Sequence, residues 1–472
     1  MQLTTSGRSS LSVFLRSLFG PAPSPAAELT LRGPPQLLTR FATLPAMLDA
    51  NAARAPNTIF LQERDAGAWR RLTYADAHRA TNDLASALLE LGLTPERPLA
   101  ILSQNSIDHA VLSLAAMSIG VPVAPISVAY SQFDDLSRLR AIFEILTPGV
   151  VFAQDGIAFQ RGLALAKELG ARTVVADGTP GEHLRLSELS SSAPGESITV
   201  APSASSIAKV LFTSGSTGQP KGVIVTHGMM CSNQDSLAAL WSFLDNEPPI
   251  LVDWLPWNHI FGGALVFNCA LRNAGTLVID GGRPIPGQFE ATIRNLKDVP
   301  PTVHFGVPRG FDELVQAMER DDELAKLFFS RLRTIFTAGA AIPGHVWSKL
   351  HYFAERYGRA DLQIYVGWGA TETAPVATMS PASNRRPDNI GVPIPGAEIR
   401  LVPNEDKLEL RVRGPMVTPG YWRRPDLAAD AFDPDGFYRI GDAGKLIDPS
   451  DHAKGIQFDG RVAENFKLVT GT

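Results

Sequence analysis

The fold of this chain is decided by one stretch, Leu211-Phe-Thr-Ser-Gly-Ser-Thr-Gly-Gln-Pro-Lys-Gly-Val223. It continues an apolar run that starts at Ala208 and that only Lys209 interrupts, a pattern typical of a buried strand. The glycines allow backbone N–H groups to turn towards an anion, and the hydroxyls and the lysine add further donors. We therefore expect a strand followed by a loop that holds a polyphosphate.

Two other interpretations of this stretch fit it less well. In the Walker loop a lysine and then a hydroxyl residue follow the last glycine, whereas here Lys221 lies between Pro220 and Gly222. A flexible Ser/Gly linker has a similar composition, but linkers rarely adjoin a strand rich in β-branched and aromatic residues.

The composition is that of a soluble globular protein. The 472 residues are 44% hydrophobic and 19% charged, and a chain of this length needs more than one compact core. A net charge of −5 argues against a nucleic-acid-binding surface. Cys231 and Cys269 are too few for a disulfide framework, so we expect a cytoplasmic protein.

Two segments resemble targeting or membrane sequences. Residues 110–130 carry no charge, but Gly120, Pro122 and Pro125 break the run, so we expect a buried helix and strand and no membrane span. Residues 1–27 contain arginines and serines without an acid, which suits an organelle transit peptide or a frayed tail. We expect the tail.

Strand and helix patterns alternate from residue 98, which predicts βαβ units in an α/β fold with a mostly parallel sheet. The first block predicts strands at 99–102, 121–126, 150–152 and 173–175, and helices at 106–119 and 159–169. The second block predicts a helix at 228–241 and strands at 250–254, 275–279 and 334–337. Short strands at 398–401, 408–412 and 445–447 predict a β-rich region. We expect subdomains at 1–190, 191–390 and 391–460.

Three later segments carry groups that a nucleotide needs. Thr337-Ala-Gly-Ala-Ala-Ile-Pro343 offers small side chains against which a flat ring can lie. Tyr365-Val-Gly-Trp-Gly-Ala-Thr-Glu-Thr-Ala-Pro375 sets the Glu372 carboxylate beside a hydroxyl, which suits Mg²⁺ or, alternatively, a helix N-terminus. Tyr438-Arg-Ile-Gly-Asp-Ala-Gly444 sets Asp442 between glycines, where it can accept ribose hydroxyls or close a tight turn.

These segments, in this order, resemble the adenylate-forming superfamily of acyl- and aryl-CoA ligases, luciferases and peptide-synthetase adenylation domains. The resemblance implies that superfamily's large N-terminal domain, with two βαβ-type subdomains packed together and a small β-rich subdomain. It implies a carboxylate attacking the α-phosphorus of ATP, loss of pyrophosphate and transfer of the acyl group to CoA. It implies nucleotide binding by Thr213, Ser214, Gly215, Ser216, Thr217, Gly218, Lys221, Gly339, Ala340, Ala341, Trp368, Gly369, Thr371, Asp442 and Arg461.

By the same resemblance, the catalytic residues are Lys221, Thr371, Glu372 and His259, and Glu372 with Thr217 holds Mg²⁺. The segment Pro256-Trp-Asn-His-Ile-Phe-Gly-Gly263 sets the substrate class. His259 stands where peptide-synthetase domains carry an aspartate for the substrate ammonium, so an amino acid substrate is not expected.

The implied acid pocket matches that of 4-coumarate:CoA ligases, and glycines leave room in it for a planar ring. Its residues are His259, Ile260, Phe261, Gly263, Gly339, Gly367, Pro375 and Val376. With the C-terminal run from Val462 to Thr472, the chain looks most like bacterial feruloyl-CoA synthases. Ferulate or 4-coumarate is the expected acid, and a medium- or long-chain fatty acid is the alternative.

The superfamily continues past its hinge into a C-terminal domain that carries a catalytic lysine, whereas this sequence ends at Thr472, shortly after Arg461. The expectation is slow adenylation and loss of thioester formation, or a fragment that binds nucleotide and aryl acid without turnover. Ala463 replaces the usual hinge residue, and Glu464 is a candidate substitute. The expected assembly is a monomer or homodimer.

Overall fold

A computed structural model of the chain describes residues 28–36, 39–65, 67–178, 182–189, 201–214 and 219–465. Predictions for the N-terminal tail, for the loop residues Gly215, Ser216, Thr217 and Gly218, and for the end of the chain lie outside these residues. The described residues form three β-sheets and connecting helices, which confirms the expected α/β fold.

The strands in chain order are β1 Leu29–Arg32, β2 Ile59–Asp65, β3 Ala68–Thr73, β4 Leu99–Leu102, β5 Val123–Pro125, β6 Val150–Asp155, β7 Arg172–Asp177, β8 Leu184–Arg185, β9 Ile207–Ser214, β10 Pro220–Thr226, β11 Ile250–Asp253, β12 Thr276–Ile279, β13 Val303–Gly306, β14 Thr334–Thr337, β15 Gln363–Gly369, β16 Val376–Met379, β17 Asn389–Pro393, β18 Glu398–Asn404, β19 Lys407–Arg413, β20 Tyr438–Leu446 and β21 Ile456–Arg461. The α-helices are α1 Leu44–Arg54, α2 Tyr74–Glu90, α3 Ile107–Ser118, α4 Ala129–Gln132, α5 Ser137–Leu146, α6 Gln160–Glu168, α7 Leu186–Leu189, α8 His227–Leu240, α9 Phe267–Arg272, α10 Phe289–Asp298, α11 Pro308–Arg320, α12 Asp322–Ser330, α13 Gly344–Arg356 and α14 Pro425–Ala431. A π-helix, Phe261–Val266, leads into α9.

The three sheets combine parallel and antiparallel pairing. In the seven-stranded sheet, β10-β9-β5-β4-β6-β7-β8, the strands from β9 to β8 are parallel and β10 forms a hairpin with β9. The four-stranded sheet has the order β11-β12-β2-β3. The ten-stranded sheet has the order β1-β18-β19-β20-β21-β17-β16-β15-β14-β13, and its parallel pairs are those among β13, β14 and β15. All four residues of β4 are buried, as a central parallel strand requires.

The uncharged stretch at 110–130 divides into helix and strand as expected. The Ser106 hydroxyl accepts a hydrogen bond from the backbone N–H of His109 at 3.1 Å, so α3 begins with an N-cap, and it ends before Gly120. Strand β5 follows. Across the described part of the chain, helices that are both long and apolar enough to cross a bilayer are absent.

The β-rich region is more continuous than expected. Strand β20 runs from Tyr438 to Leu446, so it contains Asp442, which the sequence suggested could close a tight turn after a short strand. The register of β20 against β21 shifts at Asp442, where Gly441 adopts a positive φ of 80°, so a β-bulge turns the side chain. The predicted subdomain boundaries stay predictions, and strand pairing crosses both of them (β9 with β5, β21 with β17).

The π-helix is fixed within the largest apolar core. Tyr74 of α2 is fully buried, and its hydroxyl lies 3.0 Å from the carbonyl oxygen of Ala270 and 2.9 Å from that of Gly275. Phe60 stacks on Tyr74 and contacts Phe267 edge-on. These contacts attach α9, and with it the π-helix, to the helices of the first α/β block.

Candidate active site

A cavity of about 440 Å³ opens at the carboxyl ends of β14 and β15. Ligands of α/β proteins commonly bind at this end of parallel strands. Its walls contain predicted residues from both the nucleotide set and the acid set. These are Ile260, Phe261, Gly339, Ala340, Ala341, Gly367, Trp368, Gly369, Thr371, Pro375, Val376, Asp442 and Arg461.

One part of the wall joins Trp368, Asp442 and Arg461. The indole Nε1 of Trp368 donates to Oδ2 of the buried Asp442 at 2.9 Å, and Nε of Arg461 lies 2.9 Å from Oδ1. Both carboxylate oxygens therefore have protein partners. The Arg461 side chain is 60% exposed, whereas that of Asp442 is 9% exposed.

A flat, open floor follows β14. Gly339 has a φ of +87°, and a methyl group placed on its Cα would come no closer to a neighbouring residue than 3.7 Å, the distance to Cγ1 of Val307. Ala340 and Ala341 are exposed. This surface leaves room for a planar ring against the backbone, and the predicted adenine role stays a prediction.

An aromatic cluster bounds the part of the cavity that Ile260 and Phe261 line, where the sequence predicted the acid. Phe261 meets Phe336 edge-on, with ring centroids 5.8 Å apart, and Phe336 also contacts Phe305 and Trp241. The room expected beside Gly367 is already filled: a Cβ there would lie 2.2 Å from Cζ of Phe336. Sequence reasoning missed Phe336, because a phenylalanine in a short strand reads as ordinary core.

His259 and Gly263 do not line this cavity in the described structure. The His259 side chain keeps solvent contact, although surrounding protein lowers the pKa of its imidazole by desolvation. Gly263 is buried in the π-helix, where a Cβ would lie 2.2 Å from the carbonyl oxygen of Trp257. Their predicted substrate roles stay predictions.

Lys221 and Glu372 meet beside the cavity. Lys221 lies in β10 with its Nζ 3.6 Å from Oε1 of the buried Glu372, and Nζ donates to the Tyr421 hydroxyl at 3.2 Å. That hydroxyl donates in turn to Glu372 at 3.1 Å and lies 3.4 Å from the Tyr438 hydroxyl. Burial and the neighbouring Glu372 carboxylate raise the pKa of both tyrosines, so both hydroxyls stay protonated.

The strands on either side of the predicted phosphate loop, β9 and β10, pair in antiparallel orientation. Thr213 pairs with Lys221, and Ser214 with Pro220. The buried hydroxyl of Thr213 finds no hydrogen-bond partner within the described ranges. Thr371, Glu372 and Thr373 form a short 3₁₀ helix that begins after Ala370, so Glu372 lies in the first turn of a helix, as the alternative interpretation expected.

Comparison with known proteins finds an enzyme family that binds AMP and relatives that are named CoA ligases. A family model described as "AMP-binding enzyme" matches residues 48–422. The long-chain-fatty-acid–CoA ligase of Salmonella typhimurium is 33% identical over 252 residues, which are 51% of this chain and 42% of that protein. The chain thus spans less than half the length of that relative.

A more extended match is the 7a-methyl-1,5-dioxo-octahydroindenyl-propanoyl:CoA ligase of Rhodococcus jostii, 28% identical over 416 residues, 83% of this chain and 76% of that protein. The crystal structure of ATP-bound MatB from Rhodopseudomonas palustris superposes with a TM-score of 0.73 at 25% identity. It covers 89% of this chain and 78% of that chain.

Proposed function

This chain belongs to the AMP-binding enzyme family, and from that premise we propose that it adenylates a hydroxycinnamate-type aromatic acid with ATP and passes the acyl group to CoA. The observation that carries the proposal is the shared cavity. Predicted nucleotide residues (Gly339, Trp368, Asp442) and predicted acid residues (Phe261, Val376) line the same 440 Å³ space. An acid can therefore approach a nucleotide phosphate inside it.

In the proposed complex the adenine lies on the floor from Gly339 to Ala341, beside Trp368. The ribose hydroxyls reach Asp442, whose partner Arg461 swings outward to admit them. The triphosphate extends towards Lys221 and the end of β9 at Thr213. Positioning and electrostatic stabilisation suffice for in-line attack of the carboxylate on the α-phosphorus, so a protein nucleophile is not required.

The residues beside the cavity suit Mg²⁺. Groups of three or more acidic, histidine or cysteine side chains that could hold a metal are absent from the described residues. Mg²⁺ usually takes one or two carboxylates and completes its coordination with phosphate oxygens and water, so Glu372 alone can serve. A bound Mg²⁺ would neutralise charge on the departing pyrophosphate, and Thr371 would bind phosphate oxygens. Thr217, the second predicted ligand, lies outside the described residues.

The predicted acid end of the cavity supports a compact aromatic substrate. Phe336 fills the space beside Gly367. The Phe336 ring contacts the rings of Phe261, Phe305 and Trp241. The ring of a planar phenylpropenoic acid can pack edge-to-face against such rings. A long alkyl chain needs a continuation of the cavity that these rings occupy.

A fatty acyl-CoA ligase is the second candidate. It is supported by the identity to the Salmonella enzyme, whose name specifies a long-chain fatty acid. The two candidates differ in the acid and share the nucleotide chemistry.

Acid-dependent pyrophosphate release and hydroxamate trapping, with ferulate, 4-coumarate, octanoate and palmitate, separate these candidates. We expect turnover with ferulate or 4-coumarate and at least about tenfold lower kcat/KM with palmitate. Preference for a fatty acid would favour the second candidate. Calorimetric binding of ATP and ferulate without turnover would show a binding fragment instead.

A further inference from the structure

Lys209 is a buried cation with no role in the function proposed above. It lies in β9, four positions before Thr213, and its side chain is almost wholly buried. Its ammonium donates to the backbone carbonyl of Gly263 in the π-helix Phe261–Val266. A strand that leads into the phosphate loop is thereby bonded to the segment that carries Ile260 and Phe261.

Among the described residues, Lys209 lacks a partner of opposite charge, and burial is the cause of the change in its pKa. None of the described carboxylates forms an ion pair with it. The elements packed around it contribute Leu44 from α1, His109 and Ser113 from α3, His227 from α8, Trp257, and Phe267 from α9. The titratable groups in this set are His109 and His227, whose pKa values burial lowers to about 3 and about 4, helped by the Lys209 charge. Both histidines are therefore neutral at physiological pH.

The π-helix depends on side chains from outside it. Its carbonyl groups at Ala264 and Leu265 accept hydrogen bonds from the buried Gln234 amide, and the one at Gly263 accepts from Lys209. Such bonds compensate the poorer geometry of a π-helix, a conformation that is frequent at functional sites. A charged donor bonds a carbonyl more strongly than a neutral one.

We propose that Lys209 is a positioning residue for the acid: its ammonium fixes the π-helix, and hence Ile260 and Phe261, against the cavity. The proposal rests on the function proposed above. Because burial lowers the pKa of Lys209 to about 8, the bond weakens as pH rises through that value. His109 and His227 do not titrate in this range.

Lys209→Met and Lys209→Gln test the proposal by initial rates of pyrophosphate release. Lys209→Met removes the donor together with a buried charge, so it is expected to fold without loss of thermal stability. We expect its KM for ferulate to rise about tenfold while its KM for ATP stays within about twofold. The wild-type KM for ferulate should rise above pH 8. Lys209→Gln keeps a neutral, weaker donor, so its KM should lie between those of wild type and Lys209→Met and should not change between about pH 7 and about pH 9.

Unchanged KM values and an unchanged pH profile in Lys209→Met would overturn the proposal, because a merely structural lysine predicts that result. Hydrogen exchange supplies a readout that needs no turnover. Amides of residues 259–266 should lose about tenfold protection in Lys209→Met, and Lys209→Gln should restore part of it. If the wild type turns over no acid, the proposed function fails. The exchange data still decide whether Lys209 holds the π-helix. Unchanged protection in Lys209→Met would refute the role of Lys209.

Discussion

Tyr421 organises the charged pair beside the cavity. Its hydroxyl accepts from Lys221 and donates to Glu372, partners 200 and 49 positions away in sequence. The Lys221 ammonium also lies 4.5 Å from the centroid of the Tyr421 ring. Tyr421 therefore holds the lysine next to the carboxylate, and the Lys221 side chain stays 28% exposed.

Tyr421→Phe should lower adenylation by about tenfold, because the lysine and the carboxylate each lose one hydrogen bond to a shared partner. The expected loss lies in kcat and in the KM for ATP, with the KM for the acid unchanged. Initial-rate pyrophosphate release measures both. Tyr352→Phe, an exposed tyrosine on α13, is the matched control and should behave as wild type. Equal rates in the two variants would remove Tyr421 from the site.

Lys221→Ala and Glu372→Ala should each reduce adenylation by about 10²–10³ while the protein stays folded. Each substitution removes charge stabilisation aimed at the leaving pyrophosphate in the proposed mechanism. Pyrophosphate release gives the rate and circular dichroism the fold. Wild-type rates in both variants would contradict the assignment of this cluster to phosphate chemistry.

The sequence predicts most site residues because each lies in a short segment with its own chemical character. Gly339, Trp368, Asp442 and Arg461 come from separate segments, and the fold brings them to one cavity. Tyr421 carries no such local pattern. Its role depends on the pairing of Val223 with Tyr421, which sequence spacing does not reveal.

At the scale of elements, helix α3 shows when boundaries can be predicted. Ser106 caps its start and Gly120 follows its end, so the predicted 106–119 differs from Ile107–Ser118 by one residue at each end. Strand β20 lacks such markers. Gly441 and Gly444 suggest turns in the sequence. In the structure, β20 pairs with β19 on one side and β21 on the other, and the strand continues past a β-bulge.

The pairing of β14 with β15 brings Phe336 opposite Tyr365 and next to Gly367. The Phe336 ring therefore bounds the part of the cavity in which we propose that the acid binds. Phe336→Leu should open this part of the cavity, because leucine lacks the ring that fills the space. We expect the kcat/KM ratio of octanoate to ferulate to rise about tenfold. Competition between the two acids in the pyrophosphate assay measures the ratio.

The control is Phe328→Leu, a fully buried phenylalanine of α12 in a separate core cluster. It should lose comparable stability without changing acid preference. If the ratio of kcat/KM for octanoate to that for ferulate rises equally in both variants, the rise reflects a general loss of packing. It would then not show that Phe336 limits the length of the acid.

At the scale of the whole molecule, buried neutral histidines make stability depend on pH. Burial lowers the pKa of His304 to about 4, and its ring packs edge-on against Phe311 and Phe328. In the unfolded chain the imidazole takes up a proton below its ordinary pKa of about 6.5. The unfolded state then binds more protons, so stability falls as pH drops from 6.5 to about 4.

His304→Phe should remove this contribution while keeping a ring in the core. Between about pH 6.5 and about pH 5 the wild type should lose roughly 1.6 kcal/mol of unfolding free energy relative to His304→Phe, because the slope approaches about 1.4 kcal/mol per pH unit only below pH 6.5. Urea denaturation at several pH values measures the difference. A constant difference across this range would show that His304 is not buried neutral.

Strand β1 pairs with β18 at one end of the ten-stranded sheet, and an ion pair joins Arg32 to Glu398 across 366 residues. During synthesis at about 5–20 residues per second, β1 leaves the ribosome roughly 20–70 s before its partner exists. During that time the backbone N–H and C=O groups of β1 lack the β18 strand with which they pair in the folded protein. The pairing of β1 with β18 therefore cannot form until most of the chain has been synthesised.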